Sequence, residues 1–278
     1  SLSRESELSI ADATFVGERD GDRAGWAVTW ASNVIGDGTT SAVIGAPNHD
    51  TDRHQRAGAV YIASANASGT VDLGTAAGTV TGAAANDSAG FSVAAVGDID
   101  SDGYSEVTVG APFNDSGGDG AGAAYVLSGG PERRGESSVE RASVSMFGEG
   151  TGDRMGWAVA GGGDVDCDGH GDVFVGAPFQ DAGGRDAGAA YLLYGRAGTG
   201  DVGAAKLVGA TTGARAGSDV GSLAGSGAGD SALIGAPAQA PGAVSVVSGS
   251  CPASDGTGSE PTETPDGETP DRVSTTET

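Results

Sequence analysis

Residues 97–106 read Gly-Asp-Ile-Asp-Ser-Asp-Gly-Tyr-Ser-Glu, and residues 163–172 repeat the pattern as Gly-Asp-Val-Asp-Cys-Asp-Gly-His-Gly-Asp. Counted from the first aspartate, each copy places carboxylates at positions 1, 3, 5 and 9 and a glycine at position 6. So many anions lie close together only where a cation balances their charge, and Ca²⁺ accepts about six to eight hard oxygen ligands. An acidic, exposed turn is the alternative, but chance acidity would not reproduce the spacing twice. The spacing therefore predicts two calcium loops.

The loops differ from an EF-hand after position 9. An EF-hand needs a bidentate glutamate at position 12, where this chain has Val109 in one copy and Val175 in the other. The flanking segments 91–96 and 107–109 are rich in valine and bounded by glycine and acidic turns, which is typical of strands. Each loop is therefore predicted to join two β-strands.

Both loops lie inside a longer repeat. A Gly-Ala-Pro tripeptide begins at Gly45, Gly110, Gly176 and Gly235, at intervals of 65, 66 and 59 residues. A second marker precedes each tripeptide, beginning at Gly25, Gly90, Gly156 and, in degraded form, Gly217. A third follows each, beginning at Gly58, Gly122, Gly188 and Gly242. Three markers that recur in register predict a repeat architecture in which each unit buries its apolar face against its neighbour.

The repeat length and its strands predict an all-β fold. In the second repeat we expect four short strands, at about 79–82, 91–96, 107–110 and 123–127. Four strands per unit without helical periodicity are typical of a β-propeller, here with four blades of four antiparallel strands each. A parallel β-helix has a shorter repeat, and an immunoglobulin sandwich is not periodic at this length.

The repeats predict one folded domain and a tail. The propeller is expected to occupy residues 1–250, with repeats at about 7–69, 70–134, 135–198 and 199–249. From residue 251 to 278 the chain is rich in proline, threonine, serine and acidic residues. Such a composition does not bury a core, so we expect a disordered tail or linker. A stalk that leads to an anchor and an ordinary flexible terminus are both compatible with it.

Taken together, the Gly-Phe or Gly-Trp marker, the acidic loop and the following Gly-Ala-Pro resemble the FG-GAP repeat of integrin α-subunit propellers and their bacterial and archaeal relatives. The resemblance extends from residue 7 to about residue 249. It implies that the loops bind Ca²⁺ on one face of a propeller. Carried over by position, the implied ligands are Asp98, Asp100, Asp102, the Tyr104 carbonyl and Glu106, and Asp164, Asp166, Asp168, the His170 carbonyl and Asp172.

The chain also departs from that pattern. Glu106 replaces the usual aspartate, and its extra methylene is expected to weaken or reshape that site. The equivalent loop positions hold Asn33, Ile35, Asp37 and Ser41 in the first repeat and Leu223, Gly225, Gly227 and Ser231 in the fourth. The first of these loops has one carboxylate and the fourth has none, which is too few to bind Ca²⁺. We therefore expect two sites per chain.

Blade number is a further departure, since propellers of this family usually have seven blades. Four blades can close a ring, because four is the lower end of propeller sizes. They can also form an open arc that another copy completes, which would make the protein a homo-oligomer. The sequence leaves both arrangements open.

Charge and composition restrict the class of partner. The chain has 38 acidic and 14 basic residues, a net charge of −24, and a single lysine, Lys206. Such acidity resembles proteins of extreme halophiles, and in ordinary salt it would make the chain repel itself. Nucleic acid is excluded as a partner because phosphate binding needs clustered lysine and arginine. No run of eighteen apolar residues predicts a membrane span, and the absence of an initiator methionine and a signal segment suits a processed or trimmed chain.

Several isolated residues have weaker implications. The equivalent aromatics Trp26, Phe91 and Trp157, and the tyrosines Tyr61, Tyr125 and Tyr191, are expected to pack between blades. The sequons at Asn66, Asn86 and Asn114 suggest a glycoprotein, although each asparagine also suits a turn. We favour two unpaired thiols at Cys167 and Cys251 over a disulfide that would pin the C-terminus. We expect His49, His54 and His170 to be exposed loop residues.

No catalytic motif is present. The chain lacks Gly-x-Ser-x-Gly, and the dinucleotide-like pattern at 198–203 lies between two repeats and precedes no helix. We therefore expect a non-enzymatic, calcium-binding adhesion or recognition module, secreted or at the cell surface, that binds a protein or glycan. Its ligand-contacting loops are expected at 48–56, 114–120 and 180–186. The alternative is a non-catalytic propeller domain of a larger extracellular hydrolase or lipase. A hydrolase that uses the Ca²⁺ sites directly is a third, weaker hypothesis.

Overall fold

The structure, a computed structural model, describes residues 11–161, 163–195, 204–223, 230–239 and 241–249. Regular structure in these ranges consists of eighteen β-strands and the short 3-10 helices Leu73–Thr75, Pro131–Arg133 and Val139–Arg141. The all-β prediction is confirmed. None of the helices in the described ranges is long and apolar enough to cross a bilayer.

The strands follow one another along the chain with short connections. In order they are β1 (Ala13–Val16), β2 (Ala27–Ser32), β3 (Thr40–Ala46), β4 (Ala59–Ser64), β5 (Gly69–Asp72), β6 (Gly78–Thr81), β7 (Ser92–Gly97), β8 (Glu106–Ala111), β9 (Ala123–Leu127), β10 (Gly135–Ser138), β11 (Val144–Phe147), β12 (Ala158–Gly161), β13 (Val173–Ala177), β14 (Ala189–Leu193), β15 (Ala204–Val208), β16 (Asp219–Leu223), β17 (Ser231–Ala236) and β18 (Ala243–Ser248).

Four antiparallel sheets repeat along the chain. The first has the strand order β2-β3-β4-β6, with β10 added at its outer edge, and the second has the order β7-β8-β9-β11. The third is β12-β13-β14-β15, and the fourth contains β16-β17-β18 in the described residues. In the first three sheets the second strand is buried almost throughout. Sheets cover both faces of β8 and β13, whereas β3 has the second sheet on one face and Phe15 and Leu73 on the other. Several antiparallel sheets in series are consistent with an FG-GAP propeller.

The outer strand of each sheet comes from the next repeat. β6 pairs with β4 in the register Ala59↔Thr81 to Ile62↔Gly78, and β11 pairs with β9 and β15 with β14 in the same way. The strand predicted at 79–82 therefore exists, but it belongs to the preceding sheet. Grouping the four strands of one sequence repeat into one sheet was wrong, because pairing of the outer strand is decided by three-dimensional proximity.

Two additional strands pair in parallel, which the sequence did not predict. β5 pairs with β1 and β10 pairs with β6, with Gly69 opposite Ala13 and Gly135 opposite Gly78. The first sheet consequently has five strands, and the prediction of purely antiparallel sheets was wrong for these pairs. Both strands begin at a glycine with a positive φ angle, 70° at Gly69 and 75° at Gly135, a conformation that favours glycine.

Glycines allow adjacent sheets to approach closely. A Cβ at Gly45 in the first sheet would overlap the carbonyl oxygen of Gly90 in the second. The same conflict joins Gly110 to Gly156 and Gly176 to Gly217. These are the glycines of the Gly-Ala-Pro and Gly-aromatic markers, so the two markers recur together because they are the two sides of one backbone contact.

The core lies between the sheets. Val43, Val60 and Ile62 of the first sheet pack with residues of the second such as Val109 and Tyr125, and equivalent clusters lie between the second and third and between the third and fourth sheets. The inner strands also contact in sequence, β2 with β7, β7 with β12 and β12 with β16.

The rings of three equivalent aromatic residues, one from each of the first three repeats, contact one another in series. The ring centroids of Trp26 and Phe91 lie 5.5 Å apart, and those of Phe91 and Trp157 lie 5.0 Å apart. The prediction that these aromatics pack between repeats is confirmed.

Candidate metal centre

Two acidic loops connect the first and second strands of the second and third sheets. The first loop runs from β7 to β8 and the second from β12 to β13, so both emerge at the same edge of the stacked sheets. Each turns through a left-handed residue at position 4, Ser101 with φ 61° or Cys167 with φ 65°. Each then passes through a glycine at position 6, Gly103 or Gly169, with φ 90°. The backbone thereby folds back and directs the acidic side chains towards one point.

Three carboxylates converge in each loop. Oxygens of Asp98, Asp100 and Glu106 lie within 4.8 Å of one another, as do oxygens of Asp164, Asp166 and Asp172. Oxygens that all lie about 2.4 Å from one ion are at most about 4.8 Å apart, so the spacing fits Ca²⁺. Positions 1, 3 and 9 of each predicted loop therefore come together in a geometry that a hard divalent cation satisfies.

The electrostatics of the clusters favour a bound cation. Glu106 and Asp172 are both fully buried. Burial, together with the charges of Asp100 and Asp102, raises the pKa of Glu106 to about 7. Burial likewise raises the pKa of Asp172 to about 6. Buried carboxylates beside other carboxylates are costly to ionise unless a positive charge lies among them.

Backbone donors hold the position 9 carboxylates in place. In the first loop, the N–H of Ile99 donates to Glu106 Oε2 at 2.8 Å and that of Gly129 donates to Oε1 at 3.0 Å. In the second, the N–H of Val165 donates to Asp172 Oδ2 at 2.7 Å and that of Gly195 to Oδ1 at 2.9 Å. Glutamate and aspartate thus bind equivalent donors despite their different lengths.

Gly129 and Gly195 were missed by the sequence analysis. Each lies after the third strand of its sheet and 23 residues beyond the carboxylate that it binds. A Cβ at Gly129 would lie 2.6 Å from the Ser105 carbonyl oxygen and 2.6 Å from the Tyr104 Cβ, so a side chain would push into the loop. The recurrence of a glycine at this fixed distance was the signal that could have identified them.

The position 5 aspartates lie outside the converging groups. The carboxylate of Asp102 accepts from the N–H of Tyr104, and that of Asp168 from the N–H of His170, each at 2.8 Å. Both side chains therefore close the turn locally. The carbonyl groups of Tyr104 and His170 remain predicted ligands.

The position 1 aspartates also shape the loops. Asp98 accepts from the N–H groups of Asp102 and Gly103, both at 3.0 Å, and Asp164 accepts equivalent bonds at 3.1 and 3.0 Å. Each position 1 side chain thus stabilises the turn while it contributes an oxygen to the cluster.

The loop of the first sheet supports its neighbour. At position 3, Ile35 is buried in the core between the first and second sheets. The side-chain amide of Asn33 donates to the carbonyl oxygen of Gly103 at 2.7 Å, and Asp37 accepts from the N–H of Thr39 at 2.9 Å. This loop thus braces the first acidic loop.

In the fourth sheet, Asp230 meets the second acidic loop. Its carboxylate accepts from the N–H of Asp164 at 2.9 Å, and its own N–H donates to the Asp164 carbonyl at 3.0 Å. Asp230 lies one residue before loop position 9, so the motif count did not find it. Leu223 is exposed at the end of β16 and Ser231 begins β17, whereas Gly225 and Gly227 lie outside the described residues.

Cys167, at position 4 of the second loop, is disulfide-bonded. The expectation of two unpaired thiols was therefore wrong. Cys251 is the other cysteine of the sequence and lies outside the described residues, as do all of residues 251–278 of the predicted tail. The second loop carries a covalent restraint that the first, with Ser101 at the equivalent position, does not have.

The loops predicted to contact a ligand lie at the opposite edge of the sheets, between the second and third strands. A residue at or next to the start of each loop is buried: His49 lies 2.8 Å from Asp22, and Asn114 donates to Asp87 at 2.8 Å. Gln180 is also buried. These residues anchor the loops, and only the following positions are available to a partner.

Burial also corrects two other expectations. The expectation that His49 is an exposed loop histidine was wrong, and the Asn114 sequon is inaccessible because its amide is buried in a hydrogen bond to Asp87. Asn66 and Asn86 are exposed.

Two of the three repeated tyrosines pack between sheets as predicted. Tyr125 lies in the core between the first and second sheets and Tyr191 in that between the second and third, whereas Tyr61 is buried against Leu73 and Phe15. The hydroxyls of Tyr61 and Tyr125 lie 3.1 and 3.4 Å from His49 and Asn114. The hydroxyl of Tyr191 donates to Glu149 at 3.1 Å, and that of Tyr61 donates to Glu18 at 3.3 Å.

Comparison with known proteins agrees with this geometry. The FG-GAP repeat family matches residues 89–127 and 155–193, the segments that contain both acidic loops. The chain contains FG-GAP repeats. An 88-residue stretch, 32% of the chain, is 36% identical to integrin alpha pat-2 of Caenorhabditis briggsae, and it spans 7% of the length of that relative.

Proposed function

We propose that this protein is a calcium-binding, integrin-like adhesion or recognition module built as a β-propeller with four FG-GAP blades, each formed around one of the four antiparallel sheets. The observation that carries the proposal is the convergence of Asp98, Asp100 and Glu106, and of Asp164, Asp166 and Asp172, inside the two segments that match the FG-GAP repeat. Two Ca²⁺ ions per chain would each neutralise one cluster.

In each loop, the residues that would hold the ion are the three converging carboxylates, with the carbonyl of Tyr104 or His170 as a further oxygen. The aspartates at position 5, Asp102 and Asp168, would join through water or after a change of rotamer. Calcium would supply charge neutralisation and fix the loop between the first two strands. Because a ligand at about a hundred times its dissociation constant adds about 2.7 kcal/mol of stability per site, the ions would stabilise the blades substantially.

Isothermal titration calorimetry of the chelator-treated chain with CaCl₂ tests the metal sites. We expect about two Ca²⁺ per chain, and about one in each of Asp100→Asn and Asp166→Asn. Ser68→Ala is a matched surface control and should leave two. A stoichiometry near four would show that the loops of the first and fourth sheets also bind, and a stoichiometry of zero would refute the calcium function.

The partner would be a protein or glycan at the cell surface or outside the cell, contacted through the loops at 50–56, 115–120 and 181–186. Repeating elements fix the frame while these loops differ in sequence, as expected of recognition loops. Arg154 and Arg215 stack over Phe113 and Phe179, with the guanidinium carbon 4.5 and 5.0 Å from the ring centroids. Such pairs give this edge a mixed aromatic and cationic character, suited to polar ligands with planar or hydroxylated groups.

We propose that the chain has no catalytic activity of its own. In each proposed site three carboxylates would surround the ion, one of them buried, and their oxygens accept hydrogen bonds from backbone donors. A glycan array probed in concentrated NaCl, with calcium and with EGTA, tests recognition. Retention of specific glycans in both conditions would show that binding is independent of the ions, whereas loss in EGTA would tie the ligand loops to the calcium-stabilised fold. Binding to no glycan would leave a surface protein as the partner class, tested by the same chain immobilised against purified surface-protein extract.

A further inference from the structure

The sheet stack has two unequal free ends in the described residues. The inner strands contact one another in the order β2, β7, β12 and β16, but no packing of similar extent joins β16 back to β2. The first sheet therefore has a face without a preceding sheet, and the fourth has a face without a following one. We call these the leading face and the trailing face.

The leading face exposes apolar side chains that are covered elsewhere. Val28 is 67% exposed and Trp30 is 61% exposed. The equivalents of Val28 in the second and third sheets, Val93 and Val159, pack against the cores that the preceding sheets complete. The same position is therefore covered wherever a preceding sheet is present.

The trailing face shows the same contrast. Val60 and Ile62 of β4 are 0% and 1% exposed because the second sheet covers them, whereas their equivalents in β18, Val244 and Val246, are 68% and 55% exposed. Apolar side chains that lie exposed together mark a surface that another protein surface covers.

A glycine of the trailing face points to the occupant. Gly45, Gly110 and Gly176 have no room for a Cβ, because the backbone of the next sheet lies there. Gly235 is their equivalent, yet the nearest atom to its Cβ position is 3.5 Å away and belongs to its own sheet. Glycine inside a strand is destabilising unless another backbone approaches closely. Gly235 therefore leaves space for the backbone of a following sheet, and no following sheet is present in the described residues.

The matching glycine lies on the leading face. Gly90, Gly156 and Gly217 each touch the backbone of the preceding sheet, whereas Gly25, the first of the series, has nothing within 4 Å of its Cβ position. Leading and trailing faces are thus the two halves of the contact that recurs three times inside the chain.

The strand edges are complementary as well. β1 is equivalent to the outer strands β6 and β11, but in the described residues it pairs only with β5. The fourth sheet ends at β18 with no outer strand in the described part. One end therefore offers an outer strand and the other lacks one.

We propose, building on the propeller architecture proposed above, that two copies of this chain join head to tail. The leading face of each copy packs on the trailing face of the other, and β1 of each adds the outer strand to β18 of its partner. A heterologous contact of this kind closes into a ring when the rotation permits. Two arcs of four blades make an eight-bladed ring, which is within the usual range of propeller sizes, about four to eight.

The internal repeats fix the expected register of the new strand pair. Tyr61 lies opposite Thr79 where β4 pairs with β6. Ser245 is the equivalent of Tyr61 and Thr14 the equivalent of Thr79, so Ser245 of one copy is opposite Thr14 of the other. Both residues are exposed in the single chain.

The mass in solution tests the assembly, measured in about 2 M NaCl because each chain carries a net charge of −24 and salt screens the repulsion. We expect twice the 26.8 kDa of one chain. Gly235→Ala and Val246→Asp should halve the measured mass, while calorimetry still finds the same number of Ca²⁺ per chain as in the unaltered protein. Phe147→Asp adds the same charge as Val246→Asp at an exposed outer-strand position of the second sheet, and should remain a dimer.

Disulfide trapping identifies the faces. The double variant Thr14→Cys with Ser245→Cys should give a covalent dimer on a non-reducing gel after mild oxidation. A cross-link within one chain would show that four blades close on themselves, and a monomeric unaltered chain would show that the faces do not join two copies. Either result overturns the proposal, as would dissociation by Phe147→Asp. Because calcium stoichiometry is read separately, failure of the assembly and failure of the calcium function are distinguishable.

Discussion

The carbonyl oxygen of Gly90 occupies the space that a Cβ on Gly45 would need. The same relationship joins Gly110 to Gly156 and Gly176 to Gly217, so each boundary between sheets is a backbone contact flanked by apolar side chains. Large side chains contribute little here, since aromatic residues are only 5% of the chain and glycines number 52. The stability of the stack therefore depends on the absence of a methyl group at a few positions.

Gly110→Ala should destabilise the fold. The new methyl would overlap the Gly156 carbonyl and the Ser92 hydroxyl, and overpacking of this kind typically costs about 1–3 kcal/mol. Gly150→Ala is the matched control, because its nearest neighbour beyond the adjacent residues is an Asp153 side-chain oxygen at 3.4 Å. Thermal melts with calcium present should show a lower midpoint for Gly110→Ala only. Equal midpoints for the two variants would contradict the close sheet contact.

Calcium affinity should fall with acidity, and at different pH values for the two loops. Metal binding requires the carboxylates to be deprotonated, and the pKa values are about 7 for Glu106 and about 6 for Asp172. Between pH 8 and 6.5 the first site should weaken while the second is nearly unchanged, and below each pKa the loss should approach about tenfold per pH unit. Titrations of Asp166→Asn and Asp100→Asn, which isolate the first and second sites, measure the two profiles. If the two plots of calcium affinity against pH superimpose, Glu106 and Asp172 do not differ in pKa as expected.

The metal-free protein should respond to pH in the opposite sense. The folded state holds a proton on Glu106 at pH values where the unfolded chain has lost it, so the free energy of unfolding falls as pH rises from about 4.5 to about 7. Melting in EGTA should therefore show declining stability over this range. Glu106→Gln, which has no charge to bury, should remove the decline between about pH 6 and about pH 7 and leave the share that Asp172 contributes below about pH 6.

Gly129→Ala should impair the first metal site alone. Its methyl would press on Ser105 and Tyr104 at 2.6 Å and displace the N–H that binds Glu106. We expect at least a tenfold weaker first site, with the second site in the same molecule as the internal control. Two unchanged sites by calorimetry would show that the glycine donor is dispensable.

The buried residues His49 and Asn114, which anchor two of the ligand loops, should be interchangeable in their effect on stability. Asn114 performs in the second sheet the bridging role of His49 in the first, each between a buried aspartate and a tyrosine. His49→Asn should therefore change the free energy of unfolding little. Asp87→Ala should cost about 1–3 kcal/mol, because it removes the acceptor of the buried Asn114 amide. Denaturant unfolding of both variants compares the two, and a larger loss for His49→Asn would contradict their equivalence.

The sequence predicted the parts of this molecule that recur. A period of about 65 residues and strands between glycine turns sufficed for the all-β repeat, and the carboxylate spacing sufficed for the two converging clusters. Positions 1, 3 and 9 converge because the glycine at position 6 folds the loop back, which the motif itself encodes.

Other features depend on contacts that no local pattern records. Asp230 reaches Asp164, 66 residues away in the chain, only after the third and fourth sheets pack. β5 and β10 pair in parallel with β1 and β6, strands that only the folded chain brings beside them. Burial of His49 and Asn114 likewise depends on a buried aspartate, Asp22 or Asp87, that lies 27 residues earlier in the chain.

The exchange of outer strands between successive repeats has a practical consequence for dissecting the molecule. A fragment cut at the boundaries of one sequence repeat would lack the outer strand of its own sheet. It would also contain the outer strand of the preceding sheet, without that strand's partner. A piece that begins at an inner strand such as β7 and continues through β11 keeps all four antiparallel strands of one sheet, and only β10 loses its partner, β6. In a mechanical unfolding experiment, pulling one repeat away would also remove the outer strand of the preceding sheet, because that strand belongs to the detached repeat.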